Sequence, residues 1–350
     1  MMIVRCDANP QWGMGHLTRC RALAMALHQL GMTVAMVGPE RAYAQAGDEQ
    51  WFTHWQPMAW HADTTAGAHQ LLDLAEKWQA DGLILDEPRA GEAYQQALFE
   101  AGLPWLQFDG TAQKPLWASW VLNALPSANA SDYAPVLRNP AATLLLGPAY
   151  AVLRPEFAAV RGATKSAEPF HILVSFGGGD DRGAMAWCIQ ALLPLLGEQT
   201  RLKIISGQAN PRNASNRAQI PASHSAWIDY AVQPDAPWAI MAQCHMAVMA
   251  SGTTAHEANC CQLPMVLVSL VDNQHAPGQS WATAQQGQYL GPWETVQAHT
   301  LLQTVAQCQQ DWCDGHPTAP PLVDGQGAAR VAQALKSLYT RQHSHGAIHA

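Results

Sequence analysis

Residues 246–274 read MAVMASGTTAHEANCCQLPMVLVSLVDNQ, and they are the most informative part of the chain for predicting its fold. Two apolar, strand-like runs at 246–249 and 265–268 flank a small Gly-containing turn and a segment of helical length. A strand, a helix and a second strand in this order are typical of parallel neighbours in an α/β sheet.

The turn after the first run consists of Ser251, Gly252, Thr253 and Thr254. Either Ser251 or Thr253 is predicted to cap the following helix. Unpaired backbone N–H groups at a helix start, with the helix dipole behind them, favour a bound phosphate. Glu257 follows one helical turn later, where its carboxylate can accept hydrogen bonds from sugar hydroxyls.

The second run delivers a polar trio, Asp272, Asn273 and Gln274. Ligands of open α/β sheets bind at the carboxyl ends of the strands. The turn, the acid and the amide pair therefore predict a site for a nucleotide diphosphate.

A second turn of this kind lies near the start of the chain. A strand-like run at 2–7 leads to Gly13, Gly15 and His16, and a helical stretch follows. The spacing is not the dinucleotide fingerprint, because Thr18 stands where the third glycine would fall. His16 is predicted to face a ligand at the helix start and to act as a general base near neutral pH. A purely structural turn and a structural or solvated histidine are the alternatives.

Apolar runs alternate with helix-length segments along the whole chain, which predicts parallel α/β layers. We expect two Rossmann-like domains of GT-B type whose parallel sheets face a central cleft: 1–153, a linker at 154–169, 170–338, and a flexible tail at 339–350. Residues 51–55 are interpreted as a possible apolar loop. The predicted strands are 2–5, 33–37, 83–85, 105–108, 120–122, 143–145, 172–175, 202–206, 226–228, 246–249 and 265–268.

A third glycine turn, at 175–180, opens the second predicted domain. Gly177 and Gly178 allow the backbone to come close either to a ligand or to the facing domain. Asp180 and Asp181 follow directly, and we interpret them as helix-capping residues rather than metal ligands.

The composition argues against several classes of partner and of site. Charged residues make up 13% of the 350, where about 25% is usual, and the net charge is −8. No basic stripe is present, which argues against a nucleic-acid or anionic-membrane partner. The eight cysteines do not show zinc-site spacing, so we expect buried thiols. Without a signal peptide or an apolar run long enough to span a bilayer, a cytoplasmic protein is expected.

Several blocks of sequence, taken together, resemble one known family. They are 5–7 with 13–20, 144–157, 172–180, 251–257 and 272–274, and they stand in the family's order between residue 2 and about residue 292. The chain resembles the UDP-sugar hydrolases of pseudaminic acid biosynthesis, the PseG family. That family belongs to the GT-B fold group together with MurG.

The resemblance implies hydrolysis of a UDP-linked diacetamido-trideoxy sugar of the altropyranose type, on the way to a pseudaminic acid-type nonulosonic acid of flagellin or surface glycans. Water would attack the anomeric carbon and UDP would leave, with His16 as the base and with no metal or other cofactor. Asp7 would orient His16 or the sugar, although a simple turn-forming role is as plausible. The choice of a uracil contact among Trp227, Ile228 and Val232 stays open. The implied substrate-binding residues are Arg5, Gly13, Gly15, Gly177, Gly178, Ser251, Gly252, Thr253, Thr254, Glu257, Asn273 and Gln274.

Two segments depart from the family pattern. Residues 85–89 replace an Asp-His-Tyr segment, and 108–110 carry a single Asp109 in place of a paired acid. Both belong to the domain that would receive the sugar, so another amino sugar or a spore-coat or polysaccharide pathway remains open. A UDP-sugar glycosyltransferase of the same fold is the main alternative, and a non-catalytic nucleotide-sugar binding protein is the other.

Overall fold

The computed structural model describes residues 1–8, 13–60 and 65–346, with side chains described as far as residue 336. The described chain forms two compact units. The first contains 1–8, 16–155 and the chain from 326 onward, and the second contains 13–15 and 156–325.

The first unit is built on a seven-stranded sheet in the order β3-β2-β1-β4-β5-β6-β7, in which every pairing is parallel. Its strands are β1 (Met2–Cys6), β2 (Val34–Gly38), β3 (Phe52–Pro57), β4 (Gly82–Asp86), β5 (Trp105–Phe108), β6 (Trp120–Asn123) and β7 (Thr143–Leu146). Its helices along this stretch are α1 (Gly15–Gln29), α2 (Asp48–Trp51), α3 (Ala66–Lys77), α4 (Glu92–Glu100) and α5 (Ala130–Tyr133).

Burial explains why these segments form strands. Every residue of β1, β2 and β4 is buried, as expected for the middle of a parallel sheet covered on both faces. Ile3, Val37 and Leu83 belong to one apolar cluster together with Leu71 of α3 and Leu98 of α4. The helices therefore bury their apolar stripes on this sheet.

The second unit repeats the plan with a six-stranded parallel sheet in the order β10-β9-β8-β11-β12-β13. Its strands are β8 (Phe170–Ser175), β9 (Thr200–Ser206), β10 (Ile228–Val232), β11 (Met246–Ala250), β12 (Met265–Ser269) and β13 (Gly287–Pro292). Its helices are α6 (Pro155–Ala159, beginning at the last residue of the first unit), α7 (Ala184–Leu192), α8 (Asn213–Ala218), α9 (Pro237–Ala242), α10 (Thr254–Cys260), α11 (His275–Thr283) and α12 (Ala298–Cys313).

Ten of the predicted strands are confirmed within two residues of their ends, and three sheet-edge segments differ. The prediction of a strand at 226–228 is wrong, because a 3₁₀ segment (Ala222–Trp227) precedes β10. The loop expected at 51–55 is the end of α2 followed by β3. The sequence analysis also missed β13, whose glycines and terminal proline weaken the strand pattern.

The chain returns to its first unit at the end. Helix α13 (Gly327–Gly346) belongs to that unit, whereas the sequence analysis placed residues up to 338 in the second domain and expected a flexible tail from 339. Arg330 donates to the carbonyl of Ala149, 2.8 Å away, and Val331 and Leu335 are buried. Residues 347–350 lie outside the described residues. The unit boundary after Pro155 falls close to the expected one, and α6 occupies part of the predicted linker.

Within the described residues, no helix has both the length and the apolar character needed to cross a membrane. The cysteines are unpaired thiols, and all are buried except the half-buried Cys308 and the exposed Cys313.

Candidate functional site

Each sheet contains one point where the strand order reverses direction. In the first unit this point lies between β1 and β4, and in the second between β8 and β11. Ligands of open α/β sheets bind beside such a point, outside the carboxyl ends of the strands. Residues that follow β1 or β4, and residues that follow β8 or β11, are therefore the ones expected to contact a ligand.

His16 lies at the reversal point of the first sheet. It is the second residue of α1, and its Nδ1 is 2.7 Å from Oδ1 of Asp86, the last residue of β4. The strand register places Cys6, the end of β1, directly opposite Asp86. The His16 side chain is 25% exposed and that of Asp86 is 1% exposed. The structure thus holds a partly accessible imidazole against a buried carboxylate.

Arg19 supplies the charge that keeps this carboxylate ionised. Its Nε lies 2.5 Å from Oδ2 of Asp86, and its Nη2 donates to Oδ1. Burial opposes ionisation of Asp86, but the charge of Arg19 and the hydrogen bonds from Arg19 and His16 outweigh it and lower the pKa of the carboxyl below its ordinary range. The Arg19 guanidinium also stacks on the Phe108 ring, 4.6 Å from the ring centre.

The tautomer of His16 follows from this network. Asp86 is ionised and can only accept, so the 2.7 Å contact of its Oδ1 with Nδ1 requires a hydrogen on Nδ1, and Arg19 Nη2, 3.0 Å from Nδ1, then donates to Asp86 alone. We therefore place a hydrogen on Nδ1, donated to the ionised Asp86, which leaves the lone pair on Nε2. An imidazole held in this state can accept a proton from a hydroxyl or a water, and Asp86 stabilises the resulting cation.

Asp7 does not contact His16 in the way the sequence analysis allowed. Its carboxylate pairs with Arg89, which also binds Glu87 through Nε at 2.7 Å and Nη2 at 2.5 Å. The carboxylate that orients His16 is Asp86, from the 85–89 segment that departs from the family pattern. Two features of the sequence could have identified this partner of His16. One is the position of Asp86 at the end of a predicted strand, and the other is Arg19, three residues after His16 on α1.

Arg5, expected to bind substrate, is fully buried at the end of β1. Its Nη1 donates to the carbonyl of Cys6, and its guanidinium lies over the Trp60 ring at 5.4 Å. The Nε and Nη2 atoms have no hydrogen-bond partner among the described residues. Arg5 therefore has no exposed surface through which to contact a substrate in this conformation.

Asp109, after β5, serves the local backbone. Its carboxylate accepts hydrogen bonds from the amides of Thr111 and Ala112, 3.0 and 2.8 Å away, and from the hydroxyl of Tyr133 at 2.9 Å. These bonds fix the turn after the strand. Asp109, the other departure from the family pattern, therefore has a structural role in this turn.

In the second unit, neither Ser251 nor Thr253 caps α10 with its side chain as the sequence predicted. Ser251 is buried and donates from Oγ to the carbonyl of Val268, 3.0 Å away, which ties β11 to β12. Thr253 occupies the cap position of α10 but makes no capping bond with its side chain. Gly15, grouped with this unit, approaches Thr253 so closely that a Cβ on it would lie 2.6 Å from Thr253 Oγ1. Close packing against Thr253 explains why residue 15 is a glycine, and a φ of +80° explains why residue 13 is one.

Gln274 is brought to the same turn. Its Oε1 accepts from the amide of Leu270 at 2.9 Å, and its Nε2 lies 3.7 Å from where a Cβ on Gly252 would stand. Asn273 beside it is exposed, and Glu257 and Thr254 are half-buried on α10. The structure therefore gathers Gly252, Gln274 and the start of α10, and leaves Asn273 open to solvent.

The glycines after β8 have a packing role. Gly177 has a φ of +92°, and a Cβ on Gly207 would lie 2.4 Å from the Cα of Gly178. The Asp181 carboxylate after these glycines binds neighbouring side chains: it accepts hydrogen bonds from the amides of Asn210 and Asn216, each at 2.6 Å. Within the described residues, no group of three or more His, Cys, Asp or Glu side chains could hold a metal ion.

One cluster beside this turn escaped the sequence analysis. His275, the first residue of α11, places Nδ1 2.6 Å from the Tyr289 hydroxyl and 3.1 Å from Ser269 Oγ. These two hydroxyls lie 2.9 Å apart. A Cβ on Gly278 would meet both the Tyr289 ring, at 2.5 Å, and Ser251 Oγ, at 2.8 Å. A histidine directly after the polar trio 272–274 was the only signal in the sequence.

Comparison with known sequences identifies one homologue, and comparison with solved structures supports the fold. No family model matches the chain. The spore coat polysaccharide biosynthesis protein SpsG of Bacillus subtilis is 27% identical over 202 residues, which are 56% of this chain and 59% of SpsG. The match thus spans about three-fifths of that relative's length.

Solved structures of the same architecture cover nearly the whole chain. MurG of Acinetobacter baumannii aligns with a TM-score of 0.64 at 16% identity, covering 96% of this chain and 99% of MurG. UDP-GlcNAc 2-epimerase of Neisseria meningitidis, solved with UDP-GlcNAc, aligns with a TM-score of 0.64 at 9% identity, covering 96% of this chain and all of that one (100%). The chain is homologous to SpsG and has the GT-B fold, with two parallel-sheet Rossmann-like domains.

Proposed function

We propose that this protein is a GT-B enzyme of glycan biosynthesis that hydrolyses a UDP-linked amino sugar, of the diacetamido-trideoxy class, to the free sugar and UDP. One observation carries the proposal. An imidazole with an available Nε2 is held by an ionised, buried carboxylate at the reversal point of the first sheet, where α/β proteins bind ligands.

His16 performs the proton transfer in this proposal. Nε2 takes a proton from a water molecule as the water oxygen forms a bond to the anomeric carbon. The bond between that carbon and the phosphate oxygen breaks, and its electron pair leaves with UDP. The imidazolium is stabilised by Asp86 and afterwards returns its proton to solvent. Atoms balance as nucleotide sugar plus water giving sugar plus UDP and a proton.

The second unit is assigned the nucleotide. Its reversal point carries the turn 252–254, in which Thr253 makes no capping bond with its side chain, and the Gln274 amide beside Gly252. Such neutral donors are suited to a diphosphate. The epimerase of N. meningitidis, which shares the fold, was solved with a UDP-sugar, and this supports a UDP-sugar as the ligand class. Homology to SpsG supports polysaccharide biosynthesis as the setting.

The test is UDP release from candidate UDP-amino sugars in buffer without an acceptor. Steady turnover supports hydrolysis. The same imidazole can deprotonate an acceptor hydroxyl, and the homology to a polysaccharide biosynthesis protein favours transfer as the second candidate. UDP release that begins only when a sugar or lipid acceptor is added would therefore replace hydrolysis by glycosyl transfer.

A further inference from the structure

The part of the second unit that follows residue 217 poses an electrostatic problem for a diphosphate. No lysine or arginine occurs between residues 218 and 329, a stretch that includes α10, β12, α11 and β13. A bound diphosphate is an anion that proteins commonly neutralise with arginine or lysine. In this stretch the side chains that can carry positive charge are the histidines, at 224, 245, 256, 275, 299 and 316.

His275 is the histidine placed to do so. It directly follows Gln274, whose amide reaches Gly252, and its own helix packs on Ser251 through Gly278. The side chain is 38% exposed, and Nδ1 is occupied by Tyr289 and Ser269. Nε2 is therefore the nitrogen available to a ligand. His256 on α10, by contrast, is 9% exposed and packs its ring on Trp281, 5.1 Å away.

The partners of His275 tolerate both of its charge states. The hydroxyls of Tyr289, from β13, and Ser269, from β12, can each donate to a neutral Nδ1 or accept from a protonated one. The charged group facing Nε2 is Asp272, whose Oδ1 lies 3.8 Å away on a fully exposed side chain. An ion pair this long and exposed is weak and leaves Nε2–H able to bind a phosphate oxygen.

We propose that His275 binds the nucleotide diphosphate through Nε2 in its protonated form, so that nucleotide affinity falls as pH rises. The inference rests on the proposed function, because it places the diphosphate of the nucleotide sugar at the second unit. A charge-assisted hydrogen bond replaced by a neutral one corresponds to about a tenfold loss of affinity. The group recognised is a diphosphate, whatever sugar it carries.

The experiment measures the Kd of UDP and of uridine between about pH 5.5 and about pH 8, the range over which histidine titrates. Three proteins are compared: the unaltered chain, His275→Gln and His316→Gln. His316 is the matched control, because it is an exposed histidine whose Nδ1 lies 3.4 Å from Asp311 in the same unit. His275→Gln also reveals the contribution of UDP's own terminal phosphate, which ionises in this range.

The unaltered protein and His316→Gln are expected to lose about tenfold in UDP affinity across the range relative to His275→Gln. Uridine should bind all three equally at every pH, which also verifies the fold. A His275→Gln protein with the pH profile of the unaltered chain would overturn the role of His275 and leave the proposed function intact. Failure of the unaltered chain to bind UDP at any pH would overturn both.

A second measurement needs no variant. In the unaltered protein, the NMR titration midpoint of the His275 imidazole should move to higher pH when UDP is added, since a bound phosphate stabilises the cation. An unchanged midpoint at saturating UDP would refute the contact.

Discussion

The carboxyl-end edges of the two sheets have the same strand arrangement and opposite chemistry. The first edge is crowded with ionised groups in direct contact with each other. The second edge is built mainly of glycines, hydroxyls and amides after β11 and β12, and an ion pair, Asp180 with Arg212, lies after β8 and β9. The charged residues of the first edge are Arg5, Asp7, Arg19, Asp86, Glu87 and Arg89, and the His16 imidazole contacts Asp86 among them.

This difference indicates a division of labour. An ionised network that holds one imidazole in a defined tautomer is suited to moving a proton. Neutral donors on a tightly packed turn are suited to binding an anion without changing its protonation, with His275 as the titratable exception proposed above. The same topology thus hosts two chemistries, set by a handful of strand-end residues.

The largest effect is expected from His16→Asn. Loss of the base should lower UDP release about 10²- to 10⁴-fold, while UDP affinity stays within about twofold because the nucleotide is assigned to the second unit. Steady-state kinetics and calorimetry give the two values. His28→Asn, at an exposed histidine of the same helix, is the control and should change neither. Full turnover by His16→Asn would remove the contrast between the two edges.

Asp86→Asn should lower kcat about 100-fold with little change in KM. An asparagine amide can donate to Nδ1 of His16 and so move its hydrogen to Nε2, which removes the base. The matched control is Asp48→Asn, which breaks another buried pair in the same unit, that of Asp48 with Arg21 at 2.8 Å. Both variants should lose stability, and kcat should fall only for Asp86. An equal kcat for the two would make Asp86 a structural residue.

Stability should depend on pH through the same carboxylate. The pKa of Asp86 is lowered on folding, so its contribution is complete above the unfolded pKa of about 4 and is lost as pH falls towards the native pKa. Urea unfolding should show roughly 2 kcal/mol less stability when pH falls from about 4 to well below 3. Asp86→Asn should lack this component of the decline. An identical acid limb in both proteins would contradict the ionised state.

The smallest effect concerns the packed turn of the second unit. Gly207→Ala should lower the free energy of unfolding by about 1–3 kcal/mol, because its Cβ would meet the Gly178 backbone. Gly197→Ala is the control: nothing lies within 4 Å of a Cβ there, so its effect should stay within about 0.5 kcal/mol. Thermal unfolding measures both. Equal values would mean that the turn is not tightly packed.

Much of the fold could be predicted because its strands are continuous apolar runs. Central strands such as β1, β4 and β12 are buried along their whole length, so composition alone reveals them. Edge strands β3 and β13 carry exposed or glycine positions and were missed. The return of α13 to the first unit depends on contacts such as that of Arg330 with Ala149, 181 residues apart in sequence, which no local pattern encodes.

Only those parts of the site that depend on short stretches of sequence could be predicted. The Gly-x-Gly turn and the helix start mark His16, but its partner is chosen by the pairing of Cys6 with Asp86, eighty residues apart in sequence. Register is a property of the assembled sheet, so Asp7 was the nearer guess. For the same reason, the sequence pointed to Ser251 as a cap, whereas β12 engages its hydroxyl.

The central claim is that His16 directs water to the anomeric carbon, and the destination of solvent oxygen tests it most directly. Turnover in ¹⁸O-labelled water should place the label on C1 of the released sugar and none in UDP, and His16→Asn should release labelled sugar at least about 100-fold more slowly. Label found in the UDP phosphate, or labelled sugar formed at an unchanged rate by His16→Asn, would contradict the account.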